Sequence, residues 1–187
     1  MRKLIYAINI TLDGCCEHTK MMAPWTLPEH DKLQEHYIQL MREVDLSIYG
    51  RKTYQLMVPY WPDIAKSHSE TPGENEFADA FEASNRVVFS RTLESADEKT
   101  RIVRGNLREE IVKLKQEPGG NILVGGVSLP AQLAELGLID EYRFVVQPIV
   151  AGEGRRLLQG LQQRLQLKLV ESKSFGSGCV ALRYLKQ

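Results

Sequence analysis

Apolar residues in this chain fall into short unbroken runs that alternate with longer stripes of helical spacing. Residues 3–10, 46–49, 86–89, 122–124 and 142–147 are runs rich in Ile, Leu, Val and aromatic residues, and 102–103 is a shorter one. Such runs read as strands buried on both faces. Between them, Leu33, Tyr37, Leu40, Met41 and Val44 share one helical stripe, which predicts a helix over 28–44. Residues 51–57 read as the opening of a second helix and 77–83 as a short third. The segment 59–75, with its prolines, glycine and polar residues, reads as a loop. Asn106 caps a helix running to Gln116, with Glu109 in capping-box position and Leu107, Ile111 and Leu114 on its buried side. Ser128 opens a last helix with the stripe Leu129, Leu133 and Leu136, and Gly137 supplies its left-handed stop. Leu165, Leu167 and Leu169 alternate with polar residues, as do Val180, Leu182 and Tyr184, and the turn-rich 174–178 joins them into a predicted antiparallel hairpin. The whole reads as one α/β layered domain over 1–187, its sheet mostly parallel with antiparallel C-terminal strands at one edge.

Composition changes this picture little. With 187 residues, 43% of them hydrophobic, the chain is large enough for one well-buried domain. A net charge of +0 argues against broad attraction to nucleic acid or an anionic membrane. No apolar run approaches the ~20 residues that span a bilayer. The basic and then apolar start is interrupted by Asn9, Thr11 and Asp13, so it reads as a strand and not as a secretory signal. Three cysteines, two of them adjacent, make a poor disulfide framework, and no spacing suggests a metal site. A reducing, cytoplasmic setting fits best.

The chemistry concentrates where strands hand over to helices. Residues 121–154 run strand, Gly125-Gly126, helix. Glycine lacks a Cβ, so its N–H can meet an anion directly. The helix behind it presents unpaired N–H groups and the positive end of its dipole. A second junction, Gly50-Arg51-Lys52-Thr53, sets two cations and a hydroxyl at a helix start. Arginine holds a phosphate bidentately, lysine as a point charge. A third junction, Ser90-Arg91, suits a ribose 2′-phosphate. Paired glycines also serve tight turns and basic turns are often only solvated, so each junction alone has a purely structural reading. Three at strand ends point to a phosphorylated nucleotide cofactor in the crevice that open α/β sheets form at strand carboxyl ends. Asp13, in the Asp-Gly turn after the first strand, and Asp31, beside His30 in the first turn of the predicted first helix, are the candidate acids. Trp25, on the loop 11–26, could shield a hydride-transfer site. Arg155, Arg156 and the charges over 99–104 read as solvated surface, Cys15 and Cys16 as small fillers, and no serine has a nucleophile-elbow setting.

Together these markers resemble the dihydrofolate-reductase-like superfamily, and within it the stand-alone relatives of the reductase domain of the bifunctional riboflavin-biosynthesis deaminase/reductase. The resemblance covers nearly the whole chain. It is carried by TLDG (11–14), IYGRKTY (48–54), VVFSRTL (87–93), LVGGVSL (123–129) and GLIDEYRFVVQPIVAGEG (137–154), while PWTLP (24–28) is similar to dihydrofolate reductase itself. It implies a dihydrofolate-reductase-like three-layer αβα fold. It also implies an NADPH-dependent reductase that passes hydride to a C=N or C=O bond of a small heterocyclic or sugar-linked substrate. Carried over, Gly50, Arg51, Lys52 and Thr53 would face the cofactor's phosphates, and Ser90 and Arg91 the adenosine ribose phosphate. Val124, Gly125, Gly126, Val127, Ser128 and Leu129 would wrap the pyrophosphate, and Ala7 would offer backbone groups to the nicotinamide amide. Trp25 and Tyr54 would stand on the substrate side, with Asp13 and Asp31 as proton sources or substrate anchors. A cytoplasmic homodimer is implied as well. On the substrate side the chain departs from both patterns. Ala7 and Val124 stand where riboflavin-pathway reductases carry a lysine and a glutamate. His30, one step before Asp31, stands where dihydrofolate reductases carry their acid. The rival readings are a non-catalytic NADP(H)-binding protein and a dimeric scaffold in which the glycines only make turns.

Overall fold

The computed structural model describes residues 1–17 and 32–187. Along the chain come β1 (Leu4–Thr11), β2 (Cys15–Glu17), α1 (Leu33–Arg42), β3 (Val44–Gly50), α2 (Arg51–Ser67), α3 (Pro72–Ala83), β4 (Asn85–Phe89) and β5 (Thr100–Val103). Then follow α4 (Leu107–Gln116), β6 (Asn121–Val124), α5 (Ser128–Glu135), β7 (Glu141–Gln147), β8 (Arg155–Arg156), β9 (Leu167–Ser174) and β10 (Val180–Lys186). Eight strands make one sheet in the order β5-β4-β3-β6-β1-β7-β10-β9. From β5 to β7 every pairing is parallel, and β10 and β9 close the sheet as the antiparallel hairpin that the alternation predicts. β2 and β8 form a separate two-stranded ribbon.

The layering follows from the handedness of parallel crossovers. From β1 the chain steps one way, to β3 and β4; from β5 it steps back, through β6 to β7. Because such crossovers are right-handed, the reversal puts the connecting helices on opposite faces. One face carries α1, α2 and α3, with Leu40, Met41, Val58 and Phe81 packed on Ile5, Tyr49, Val88 and Leu123. The other carries α4 and α5, with Ile111, Leu114, Leu129 and Leu133 packed on Leu4, Ile48, Ile122 and Val124. This is the three-layer α/β arrangement expected.

Two sequence expectations fail locally. The first helix ends at Arg42, and Val44 already opens β3; its predicted start lies outside the described residues. The segment 59–75 is mostly helical instead of a loop: α2 runs 17 residues through Pro59 and Pro62. Each proline forfeits a backbone donor, a cost of ~3 kcal/mol in a helix interior. Burial of Tyr54, Val58, Pro62 and Ile64, and the packing of Trp61 on Phe77 at 4.5 Å, offset it. Thr71 then caps α3 in a full capping box with Glu74, and Pro72 sits in the first turn. That T-P-x-E signal is present in the sequence, but the surrounding Pro, Gly and Ser residues mask it.

Candidate active site at the carboxyl edge of the sheet

The three glycine, hydroxyl and cation junctions line up on neighbouring strands. Gly50 sits in register with Phe89, Ile48 pairs with Val124, and the Gly125 N–H donates to the Ile48 carbonyl at 3.0 Å. The helices that follow the three junctions, α2, α4 and α5, differ at their starts. The start of α4 is closed by Asn106, whose Oδ1 accepts from the Arg108 and Glu109 N–H groups at 3.0 and 3.3 Å. The starts of α2 and α5 follow Gly50 and Val127, and neither has a side-chain cap. Their first-turn N–H groups therefore remain for a ligand. The two open helix starts abut: a Cβ on Gly126, whose φ is +92, would collide with Thr53 Oγ1. Only glycine fits there. Ser128 opens α5 as its first helical residue, and its Oγ accepts from Arg155 Nη1 at 3.0 Å.

Two hollows meet at this seam. On the α1–α3 face is a cleft of about 690 Å³, lined by Ala7, Asn9, Tyr37, Thr53, Gly126 and Val127 among others. On the α4–α5 face is a groove of about 1190 Å³, lined by Gly50, Ser90, Arg91, Arg104, Ser128 and Leu129 among others. The floor of the cleft is a notch in the sheet. β1 pairs with β7 as far as Thr11, but with β6 only as far as Tyr6, because β6 ends at Val124. From Ala7 onward the β6-facing backbone edge of β1 has no strand partner among the described residues. Arg51 and Lys52 stand exposed on the first turn of α2, and with Arg91 they make no ion pair among the described residues. Ser90 Oγ closes its own turn by accepting from the Thr92 and Leu93 N–H groups at 3.3 and 3.0 Å, which leaves its O–H free to donate. The Val124 side chain is in the core.

Two of the expected site residues are engaged elsewhere. Asp13 is held as a hydrogen-bond acceptor. Its carboxylate accepts from Thr11 Oγ1 at 2.6 Å and from the Ala151 and Gly152 N–H groups at 3.1 and 2.9 Å. These bonds, Thr11's first, hold its pKa well below the usual carboxylate range, and it anchors the 151–152 turn. Tyr54 does not line the cleft. Its hydroxyl donates to Asp97 Oδ2 at 2.9 Å and accepts from the Asp97 N–H at 3.1 Å, on the far side of α2. Burial alone would raise the Asp97 pKa, but hydrogen bonds from Thr100, Arg86 and Tyr54 outweigh it and bring it to about 2. Asp31 and Trp25 lie outside the described residues. Arg155 and Arg156 are not merely solvated: beside the Ser128 contact, Arg156 Nη1 donates to the Asp13 carbonyl.

Several groups at the site escaped the sequence reading. Asn9, two residues beyond Ala7 on the same strand face, has its Oδ1 held by the Tyr37 hydroxyl at 2.8 Å. His36 and Arg143 line the same cleft. The one sequence signal for Asn9 is a polar break in LIYAINIT on the face of Ala7. Arg155 reaches Ser128 through tertiary folding alone. Tyr49, beneath Gly125, is buried, and burial pushes its hydroxyl up to about 12, so it stays a neutral phenol.

Comparison with known proteins gives a consistent placement. The profile of the RibD C-terminal domain matches residues 2–181. The Bacillus subtilis (strain 168) protein YyaP, itself uncharacterized, is 33% identical over 184 residues, covering 98% of this chain and 94% of its own. A Shewanella sp. PV-4 protein provisionally ascribed to riboflavin biosynthesis superposes with a TM-score of 0.77 at 20% identity, covering 99% of both chains. Dihydrofolate reductase from Enterococcus faecalis, solved with NADP(H) and RAB-propyl, superposes with a TM-score of 0.62 at 13% identity, over 99% of this chain and 96% of that one. No helix among the described residues is long and apolar enough to cross a membrane.

Proposed function

The chain belongs to the RibD C-terminal domain family, and from that premise we propose that it is an NADPH-dependent reductase acting on a C=N or C=O bond of a small heterocyclic substrate. The observation that carries this reading is the pair of uncapped helix starts, α2 and α5, abutting at Thr53 and Gly126 over the notch in the sheet. The donor set fits a dinucleotide: free first-turn N–H groups, the Thr53 and Ser90 hydroxyls, and Arg51, Lys52 and Arg91. The enzyme–NADP(H) complex of the structurally similar dihydrofolate reductase supports the choice of cofactor.

NADPH, when bound, supplies a hydride to the carbon of the C=N or C=O bond, and a proton taken up at the heteroatom completes the two-electron reduction. The protein's part is binding, orientation and exclusion of water. The starts of α2 and α5 hold the pyrophosphate by N–H donation and dipole. Ser90 and Arg91 hold the 2′-phosphate from the adjoining groove, Arg91 bidentately. The open edge of β1 at Ala7 orients the nicotinamide amide by backbone hydrogen bonds. The apolar walls of the cleft keep water from the reacting carbon. Fluorescence titration tests this: NADPH should bind, and Arg91→Ala should weaken NADPH about tenfold or more while leaving NADH nearly unchanged. Equal losses for both cofactors would remove Arg91 from the 2′-phosphate, and no NADPH binding would end the reductase reading.

A further inference from the structure

Resting on that reading, we infer that the substrate is an uncharged, flat ring compound whose ring carbonyl is recognised by the side-chain amide of Asn9, with Tyr37 as the residue that positions it. The cleft walls come from three helices: Leu40 and Met41 of α1, Leu56 and Met57 of α2, Phe77 and Phe81 of α3. A flat ring gains ~25 cal/mol for each Å² of apolar surface it buries against them. An anionic group brought to the same walls loses hydration without recompense.

Among the described residues that line the cleft, the charge is matched. Arg143 meets Glu43 through Nη2 and Glu141 through Nε, both at 2.6 Å. Its guanidinium is thus held between two carboxylates, and an incoming phosphate would have to compete with them. His36 is half-buried, its ring 6.0 Å from that of Tyr37 and 5.6 Å from that of Phe175. Burial first, then Lys173 and Arg143, hold it below its ordinary value of 6.5, with Glu171 and Glu43 opposing, so it is neutral at neutral pH.

Against this background Asn9 stands out. The Tyr37 hydroxyl donates to its Oδ1 at 2.8 Å. That bond occupies the acceptor end of the amide and fixes its plane, so the Nδ2 donors face elsewhere. Among the described residues nothing accepts from them. Asn9 also lies where β1 has lost its β6 neighbour, about 6.6 Å along the strand from Ala7. A substrate ring stacked beside a nicotinamide held at Ala7 therefore reaches the amide. Asn9 is half-buried at the wall of the cleft, and a ring that covers it buries these donors too, so an analogue without the matching acceptor leaves them unpaired.

The test uses three probes in isothermal titration calorimetry: quinazolin-4-one, quinazoline (the same ring without the carbonyl) and uridine 5′-monophosphate. Each is titrated into the wild-type protein, Asn9→Leu and Tyr37→Phe, and NADPH is titrated into the same preparations. Quinazolin-4-one should bind the wild-type protein about tenfold more tightly than quinazoline, with uridine 5′-monophosphate weakest. The ratio between the two rings should fall to near one in Asn9→Leu and part of the way in Tyr37→Phe, with NADPH affinity unchanged in both. The side-chain amide signal in the ¹H–¹⁵N spectrum that Asn9→Leu removes should shift with quinazolin-4-one and stay still with quinazoline; the rest of the spectrum reports that the variants are folded. A ratio that survives Asn9→Leu, tightest binding by the phosphorylated probe, or no binding of either ring overturns the inference. A protein that binds NADPH but fails these criteria loses only the substrate class. One that fails to bind NADPH loses the reductase reading itself.

Discussion

The two ends of the central sheet are built on opposite plans. At the amino end the strong polar groups are spent on one another. Arg2 pairs with Asp45 and donates through Nε to the Gly120 carbonyl at 2.7 Å, and the Gly120 N–H returns a bond to Asp45 at 2.7 Å. Lys115 meets Asp140 at 2.6 Å, and the same carboxylate accepts from the Leu4 N–H at 2.7 Å. Glu141, 1% exposed, collects Arg143 and Arg183 at 2.6 and 2.7 Å. At the carboxyl end α2 and α5 start without caps, and Arg51, Lys52 and Arg91 have no carboxylate partners among the described residues. The lesson is a division of labour. One end closes its hydrogen bonds to hold the strands in register; the other leaves donors open and relies on glycine to bring them together.

The most severe break should come at the seam. Gly126→Ala places a Cβ against Thr53 and forces a non-glycine residue to φ +92. It should cost about 1–2 kcal/mol from the backbone and about 1–3 more from crowding, and it should abolish NADPH binding. Gly152→Ala is the control: its φ is +79, yet a Cβ there meets nothing within 4 Å, and it lines neither hollow. It should show the backbone cost alone and bind NADPH normally. Urea unfolding and cofactor titration of the two variants decide the matter, and equal behaviour would deny the seam any special role. At the other end, Glu141→Leu takes the shared buried carboxylate from two guanidinium groups, leaving Arg143 only Glu43 and Arg183 only Glu171. Burial alone would raise the Glu141 pKa, but its bonds from Arg183 and Arg143 prevail and hold it low. Its loss should cost about 3 kcal/mol, the low end for a broken buried pair because Arg183 reaches solvent. NADPH affinity in the folded protein should stay the same. A weakened cofactor site in this variant would show that the two ends are coupled.

Asp13→Asn sits between the ends in expected effect. It loosens the 151–152 turn, so the melting temperature should fall modestly, while the pH dependence of turnover stays in place. Loss of the acid limb of that profile would restore Asp13 as a proton donor against the hydrogen-bond pattern around it.

How far the sequence was legible follows the same division. The parallel core, the C-terminal hairpin and the three rim junctions were readable because each rests on local signals: apolar runs, a cap at Asn106, a stop at Gly137 with φ +68. The helix through Pro59 and Pro62 was not, since its stability comes from the stripe it buries against α3 and not from local propensity. The engagement of Asp13 and Tyr54 is hidden for one reason. Thr11 lies beside Asp13, but its other partners, Ala151 and Gly152, and Tyr54's partner Asp97 lie far away along the chain, and a carboxylate or phenol shows its role only through its partners. Asn9 shows the limit most plainly. Its polar break is visible in the strand, but its meaning depends on Tyr37, 28 positions on.

The gentlest prediction concerns His36, which borders both the cleft and the ion pairs. Its folded-state pKa lies below the ordinary 6.5, through burial and the nearby charges of Lys173 on β9 and Arg143 on β7, partly countered by Glu171 and Glu43. As pH falls through 6.5, the unfolded chain takes up a proton at this site before the folded protein does. Proton uptake by the unfolded state lowers the free energy of unfolding. The stability attached to His36 is therefore present above pH 6.5 and declines below it, until the folded protein also protonates. His36→Gln has no such proton to take. Urea unfolding of both proteins from about pH 7.5 to about 5 should show the wild type losing stability relative to the variant, with the difference opening near 6.5. The carboxylates Glu82 and Glu141, whose ordinary value is 4.5 and whose folded values are lower, add their own losses only nearer that pH. A pH-independent difference between the two proteins would mean that His36 is as well hydrated when folded as when unfolded, and that the cleft is wetter than its apolar walls imply.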